Sequence, residues 1–177
     1  MKKRSYFRAD FDVGFWGNQF ALGYDANEDG VIRKTDSTEI GPTLLIGCRN
    51  VSGGEVGVRL IDAVGNTTLV RITVVNYGSG CGEWIRLRLV MDLKANDKQG
   101  AGSVWYQNLT RGDPGLRPVA GLQNINLALD LDATDASNPK KWDAMFLHME
   151  GATNQLDNIV IDKDHKRKKG KGGLISQ

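Results

Sequence analysis

Apolar and polar residues alternate along residues 84–93, and the two sets differ in character. The odd-numbered positions are all apolar: Ile85, Leu87, Leu89, Met91 and Leu93. The even-numbered positions are mostly polar or amphipathic: Trp84, Arg86, Arg88, Val90 and Asp92. A period of two residues is typical of a β-strand that buries one face. We therefore predict a strand here, with Ile85, Leu87, Leu89 and Met91 in the core.

The same alternation recurs in residues 55–61, 69–75 and 125–132, and further strands are expected near Leu45, Trp105, Leu147 and Ile159. Glycine-rich turns separate these segments, and no stretch of 12 or more residues has a helical period. One-sided alternation favours antiparallel pairing. The chain is therefore predicted to be all-β, as an antiparallel two-sheet β-sandwich.

Charge is distributed unevenly along the chain. Residues 163–177, KDHKRKKGKGGLISQ, form a basic, glycine-containing tail that we expect to be flexible, and residues 1–162 form the predicted sandwich domain. Without the tail the chain would be slightly acidic, although its net charge is +2. The tail is compatible with contact to a nucleic acid or another anionic surface, or with a role as a solubilising tail or linker. We favour the second interpretation and expect no nucleic-acid partner, since only the tail is strongly basic.

Membrane insertion is not expected, since no run of about 18 apolar residues occurs. The opening segment MKKRSYFRADFDVGFWG is basic but has no apolar core of a signal peptide. It indicates either a cytoplasmic protein or one trimmed before Met1. Cys48 and Cys81 are compatible with one disulfide or with two buried thiols.

Residues 25–36 follow a calcium-loop spacing, D-x-N-x-D-G, with an apolar residue at position 8 and a carboxylate at position 12. The predicted ligands are Asp25, Asn27, Asp29, Val31 through its carbonyl, and Asp36. The segment resembles the loops of EF-hands and dockerins, but its last ligand is Asp rather than Glu and no amphipathic helix flanks it. The alternative is a hairpin turn at residues 27–30, between the strands FALGYDA and VIRKTD.

Several arginines occupy the polar positions of the predicted strands. If those strands are neighbours, they form one arginine-rich surface with an aromatic edge, composed of Arg59, Arg71, Arg86, Arg88 and Trp84. Guanidinium groups bind carboxylate or sulfate, so an anionic glycan suits such a surface. The alternative is an ordinary solvated sheet face. Other aromatic residues include Trp16, Tyr77, Trp105, Tyr106 and Trp142, and we expect most of them to lie in the core.

Two aspartate pairs have the spacing of carboxylates on one strand face: Asp10 with Asp12, and Asp130 with Asp132. Paired carboxylates are the machinery of glycoside hydrolysis. Asp130 and Asp132 run into the loop DATDASNP, where aspartates commonly bind nearby backbone N–H groups. No catalytic residues are predicted.

Three stretches carry a family resemblance: WIRLRLVMDLKANDKQG, GSVWYQNLTRG, and the pair of strands in WDAMFLHMEGATNQLDNIVI. Together they cover residues 84–161 and resemble the concanavalin A-like lectin and laminin-G-like superfamily. The resemblance implies a jelly-roll sandwich, frequent glycan binding and, in some members, a calcium ion. The superfamily also contains glycosidases and polysaccharide lyases.

We therefore expect a non-catalytic carbohydrate-binding or adhesion module that is secreted or on the cell surface. One alternative is a structural or assembly protein on the same sandwich, such as a surface-layer, virion or appendage component. A second alternative is a hydrolase or lyase that acts on polysaccharides.

Overall fold

The computed structural model describes residues 6–14, 18–26, 28, 39–47, 55–73, 83–149 and 155–162. Within these ranges the chain forms eleven strands: β1 (Tyr6–Gly14), β2 (Asn18–Gly23), β3 (Ile40–Gly47), β4 (Glu55–Ile61), β5 (Thr67–Thr73), β6 (Trp84–Asp92), β7 (Ala101–Asn108), β8 (Arg117–Pro118), β9 (Ile125–Asn126), β10 (Ala144–Met149) and β11 (Gln155–Asp162). Helical structure in the described ranges is limited to the 3₁₀ turn Asn96–Lys98. The prediction of an all-β fold is confirmed.

The strands form two antiparallel sheets. The first sheet has the order β11-β1-β6-β7-β8, with β9 also paired to β7. The second sheet has the order β10-β2-β3-β4-β5. Consecutive strands pair along β6-β7-β8 and along β2-β3-β4-β5. The remaining pairs join strands that are distant in the chain: β1 with β6, β1 with β11, β2 with β10, and β7 with β9.

Strand β6 lies at the centre of the first sheet and follows the predicted pattern. Ile85, Leu87, Leu89 and Met91 have no exposed surface, and the residues between them are half-buried. The predicted core face of this segment is therefore confirmed. Because β1 and β7 flank β6 on both sides, its inner side chains lie away from the sheet edges.

The inner faces of both sheets share one apolar core. From the second sheet, the fully or nearly fully buried members are Phe20, Leu22, Leu44, Val58 and Leu60. These residues belong to the same cluster as the inner residues of β6. Two sheets that bury their inner faces against each other form a β-sandwich.

Gly102 permits close packing between the sheets. A Cβ atom at this position of β7 would lie 2.8 Å from a side-chain carbon of Leu60 and 2.8 Å from one of Leu127. Leu60 belongs to the second sheet, so the two sheets approach each other closely here. A larger residue would force this contact apart.

The prediction of a strand over residues 125–132 is mostly wrong. Only Ile125 and Asn126 are in a strand, although Leu127 and Leu129 point into the core as expected. The side chain of Asn126 accepts a hydrogen bond from the N–H of Ala128 at 2.8 Å, and Ala128 has a φ of 51°. This local turn ends the strand, because the Asn126 side chain takes the place of a backbone acceptor on a neighbouring strand.

Strand β1 is absent from the sequence prediction. Its outward positions carry Arg8, Asp10 and Asp12, which alternate with the apolar residues Phe7, Ala9, Phe11 and Val13, so the period of two residues was an available signal. The remaining predicted strands near Leu45, Trp105, Leu147 and Ile159 correspond to β3, β7, β10 and β11. Cys48, Cys81 and the basic tail lie outside the described residues.

A bulge interrupts β11 at Asn158. The register with β1 shifts between Asp10↔Val160 and Asp12↔Asp157, and Asn158 has a φ of 50°. Asparagine tolerates this left-handed conformation better than most residues. The bulge directs the Asn158 amide toward β1, where it contacts Asp12.

Candidate functional site

The structure separates the five predicted surface residues into two groups. Arg86, Arg88 and Trp84 lie on the outer face of the first sheet, because their neighbours on β6 point into the core. Arg59 and Arg71 are exposed on β4 and β5 of the second sheet. The two groups therefore lie on opposite sides of the sandwich. Alternation identifies the outward face of a strand but not the sheet to which the strand belongs.

Arg86 and Arg88 are bound to two aspartates of the neighbouring strand β1. The register places Arg86 opposite Asp12 and Arg88 opposite Asp10. Each guanidinium donates from Nε and Nη2 to the two carboxylate oxygens of its partner, at 2.7 and 2.8 Å for Arg86 and at 2.8 Å twice for Arg88. Two-pronged pairs of this kind combine strength with fixed geometry. We call these four residues the charge ladder.

Two side chains outside the charge ladder also bind its carboxylates. Arg8 Nε donates to both oxygens of Asp10 at 3.2 and 3.1 Å, and its Nη2 also contacts Asp10. Asn158 Nδ2 donates to Asp12 Oδ2 at 2.8 Å. Although they lie on an outer sheet face, Asp10 is only 7% exposed and Asp12 only 2%.

Contacts within the charge ladder shift the pKa values of Asp10 and Arg86. Burial alone raises the pKa of Asp10, but hydrogen bonds and charges from Arg88 and Arg8 outweigh burial, and the pKa is lowered. The hydrogen bond to Asp12 raises the pKa of Arg86. Asp10 is therefore ionised at neutral pH. A catalytic general acid needs the opposite shift, toward a raised pKa.

Strand β7 extends the outer face beside the charge ladder. Trp105 lies opposite Arg88, and Gln107 lies opposite Arg86. Both β7 residues are half-buried, whereas their neighbour Val104 is fully buried. Trp105 therefore belongs to the outer face and is an exception to the expectation that most of these aromatic residues lie in the core. The alternation within SVWYQNL, which turns Val104 inward, was the available signal.

Of the other aromatic residues in this prediction, Trp142 and Tyr106 pack against the core, and Trp16 and Tyr77 lie outside the described residues. Trp142 packs against the core and donates from Nε1 to the Ala136 carbonyl at 2.7 Å, as assigned. Tyr106 also packs against the core, and the Arg117 guanidinium lies 4.5 Å from the centre of its ring. A partly buried aromatic residue that packs against the core, with its polar atom hydrogen-bonded as in Trp142, has a structural role.

Trp84 begins β6 at a position where the backbone is held firmly. Its N–H donates to Thr110 Oγ1 at 2.7 Å, and its carbonyl accepts from the N–H of Leu109 at 2.8 Å. The residue opposite Trp84 on the neighbouring strand β1 is Gly14, which contributes no side chain to the outer face. The indole is half-buried. We call Trp84, Arg86, Arg88, Trp105 and Gln107 the outer-face site.

The turn after β7 supports this end of the sheet. Glu83, which is 3% exposed, accepts from Asn108 Nδ2 at 2.6 Å and from Arg111 Nε at 3.1 Å. Asp113 Oδ2 accepts from the N–H of Asn108 at 2.9 Å and from Arg117 Nη2 at 3.0 Å. The charged groups of this turn are therefore engaged in holding the turn itself.

The second aspartate pair forms local hydrogen bonds, as predicted. Asp130 Oδ1 accepts from the N–H of Asp132 at 2.9 Å. In the same loop, Asp135 Oδ1 accepts from the N–H of Ser137 at 2.9 Å. Both Asp130 and Asp132 are exposed. Their short spacing thus reflects a turn rather than one face of a strand.

Of the five predicted calcium ligands, only Asp25 lies in the described ranges; Asn27, Asp29, Val31 and Asp36 lie outside them. The backbone N–H of Asp25 donates to Asp143 Oδ1 at 3.3 Å. The ends of the connection between β2 and β3 are joined by the N–H of Tyr24, which donates to the Glu39 carbonyl at 2.9 Å. Among the described residues, no three His, Cys, Asp or Glu side chains form a cluster suited to a metal ion.

Comparison with known proteins gives no relative: no family model, curated protein or solved structure matches the chain. No helix in the described part of the chain combines the length and apolar character needed to cross a membrane.

Proposed function

We propose that this protein is a non-catalytic carbohydrate-binding module that binds glycan at the outer-face site. The observation that carries the proposal is a pair of hydrogen-bonded arginines that shares one sheet face with two half-buried tryptophans: Trp84 precedes them on β6, and Trp105 lies opposite Arg88 on β7. Aromatic rings provide large contact area at low entropic cost, and sugar rings have apolar faces that pack on them.

The charge ladder supplies donors whose positions are already fixed. A guanidinium has five N–H donors, and each arginine of the ladder uses two on its aspartate, which leaves three. The side chains of Arg86 and Arg88 are 37% and 27% exposed, so solvent reaches them. Donors held in place before binding lose little entropy when a ligand hydroxyl accepts from them.

The pairing favours an uncharged glycan over an anionic one. Asp12 and Asp10 already occupy the Nε–Nη2 edge of each guanidinium, which is one of its two edges able to bind a sulfate or uronate in two-pronged fashion. The charges of the four ladder residues also cancel, and Arg8 is a fifth charged group that binds Asp10. We therefore replace the expectation of an anionic glycan with one of a neutral, hydroxyl-rich glycan.

The same contacts favour binding without turnover. Asp10 and Asp12 have the spacing of a catalytic pair, but both accept from arginines, and the lowered pKa of Asp10 opposes a role as general acid.

The order in which the chain visits the two sheets supports a concanavalin A-like jelly roll. A module of this class fits a secreted or cell-surface location.

A glycan array probed with the full chain tests the proposal, combined with a reducing-end assay on each polysaccharide that binds. We expect binding to neutral glycans without release of reducing ends. Release of reducing ends would support the enzyme alternative. Preference for sulfated or uronate glycans would contradict the proposed neutral ligand.

A second candidate function is structural assembly. Exposed apolar residues on the outermost strands of the sheets favour it: Leu69, Met145, Ile159 and Val160 are 40–53% exposed. Edge strands with exposed apolar residues are typical sites of association between chains. An assembly protein would form open polymers at micromolar concentration in light scattering and would give no signal on the array.

A further inference from the structure

Strand β5 is the outermost strand of the second sheet within the described residues. It pairs with β4 along its whole length without a shift in register, from Glu55↔Thr73 to Ile61↔Thr67. Its sequence, TTLVRIT, is rich in β-branched residues, and Leu69 in its middle is 45% exposed. A regular edge strand of this kind is a template for a further strand.

Two of the other edge strands differ from β5. Strand β8 has two residues, and one of them is Pro118, which has no N–H to donate. Strand β11 has the bulge at Asn158. Short length, proline and bulges protect a sheet edge from pairing with another chain. Strand β5 has none of these three protections, and Arg71 is its one charged residue.

The hairpin before β5 determines which backbone groups face outward. The N–H of Asp62 donates to the Asn66 carbonyl at 2.9 Å. Hydrogen-bonded pairs alternate along an antiparallel ladder, so Thr68 and Val70 direct their backbone groups toward β4. The residues that direct their N–H and C=O groups away from β4 are Thr67, Leu69, Arg71 and Thr73.

We propose that β5 is a homodimer interface, where it pairs antiparallel with β5 of a second copy of this chain. The two-fold axis passes beside Val70. Leu69 then lies opposite Arg71 of the second copy, and Thr67 lies opposite Thr73 of the second copy. All four outward residues join hydrogen-bonded pairs, and the two second sheets become one continuous sheet. This interface is independent of glycan binding at the outer-face site.

The neighbouring registers are less favourable, which is why a second copy fits this edge in one way. A shift of two residues in one direction places Arg71 opposite Arg71 of the second copy, and like charges directly opposite each other destabilise a sheet. The same shift in the other direction leaves Thr73 outside the pairing. A two-fold interface requires a self-complementary patch, and TTLVRIT meets that requirement when Val70 lies at its centre.

Sedimentation velocity on the full chain, over a range of protein concentrations, tests the interface. The wild type is expected to show a reversible equilibrium between monomer and dimer. Leu69→Lys places a cation opposite Arg71 of the second copy, twice per dimer, and is expected to raise the dimer Kd about tenfold. Leu69→Glu removes the same apolar surface but places an anion there, so its dimer Kd is expected to stay at or below that of wild type.

Val64→Lys is the matched control, because Val64 is 68% exposed but lies in the turn before β5. It is expected to leave the dimer Kd unchanged. Circular dichroism of each variant verifies that the sheet is intact. A wild type that remains monomeric at every concentration overturns the proposal. So does equal weakening of the dimer by Leu69→Lys and Leu69→Glu, because only the proposed register distinguishes the two charges.

Discussion

Arg86 binds Asp12 across strands β6 and β1 with two hydrogen bonds of 2.7 and 2.8 Å, although 74 residues separate them in the chain. The two partners differ in exposure: the Asp12 side chain is 3% exposed and the Arg86 side chain 37%. The acceptor is therefore buried while the donor faces solvent. Removing the arginine and removing the aspartate should have different consequences.

Arg86→Ala removes the guanidinium that pairs with the buried carboxylate of Asp12. Because an unsatisfied buried acceptor retains its desolvation cost, we expect a loss of about 1–3 kcal/mol in the free energy of unfolding. The loss stays within that range because the Arg86 side chain is partly exposed to solvent and because the Asn158 amide still donates a hydrogen bond to Asp12. Urea denaturation measures it.

Two further variants serve as controls for that measurement. Arg59→Ala removes an exposed arginine from the opposite sheet and should change stability by less than about 0.5 kcal/mol. Asp12→Leu combined with Arg86→Met removes both partners and should recover much of the loss. Equal effects of Arg86→Ala and Arg59→Ala would show that the ion pair does not contribute.

Acid should weaken the fold through Asp10. Its pKa is lowered from the ordinary value of 3.8, so ionisation of Asp10 is more favourable in the folded than in the unfolded chain. The resulting stabilisation is complete above pH 3.8 and is lost as the pH falls through the lower folded pKa. Asp10→Asn should flatten the decline of stability with falling pH in this range, measured by urea denaturation at several pH values. An unchanged slope would contradict the role of Asp10.

The core prediction is tested by Leu87→Ala. Leu87 is fully buried at the centre of β6, so its truncation should cost about 2–5 kcal/mol. Val90→Ala on the same strand is the control, since Val90 lies on the half-buried outer face and should cost much less. If both variants unfold at the same urea concentration, the assignment of the inner face is wrong.

The inner face of β6 was predictable from sequence because alternation reports directly on burial. The sheet to which each strand belongs was not predictable from sequence. Arg71 and Arg86 occupy equivalent positions in the alternating pattern of successive strands, but they lie on opposite sides of the sandwich. The pairing of Asp12 with Arg86 was equally hidden, since it depends on which strands become neighbours and in which register. Local side-chain hydrogen bonding ended the predicted strand at Asn126.

Calcium binding to residues 25–36 stays a prediction from sequence. An ion that binds only the folded chain at a hundredfold excess over Kd would stabilise it by about 2.7 kcal/mol. Millimolar calcium should therefore raise the melting temperature, and chelator should reverse the rise. Asp25→Ala with Asp29→Ala should abolish the response, whereas Glu28→Ala, at a position that is not a predicted ligand, should retain it. A melting curve of the wild type that chelator leaves unmoved would show that the segment is only a turn.

Calorimetric titration of a neutral glycan from the array into wild type and Trp105→Ala tests the outer-face site most directly. Trp105 lies opposite Arg88 and is half-buried on the outer face, so its loss should remove ring contact without unfolding the sheet. We predict that Trp105→Ala raises the glycan Kd by at least about fivefold, while Arg59→Ala on the opposite sheet leaves it unchanged. Equal glycan affinity in all three proteins would contradict glycan binding at the outer-face site.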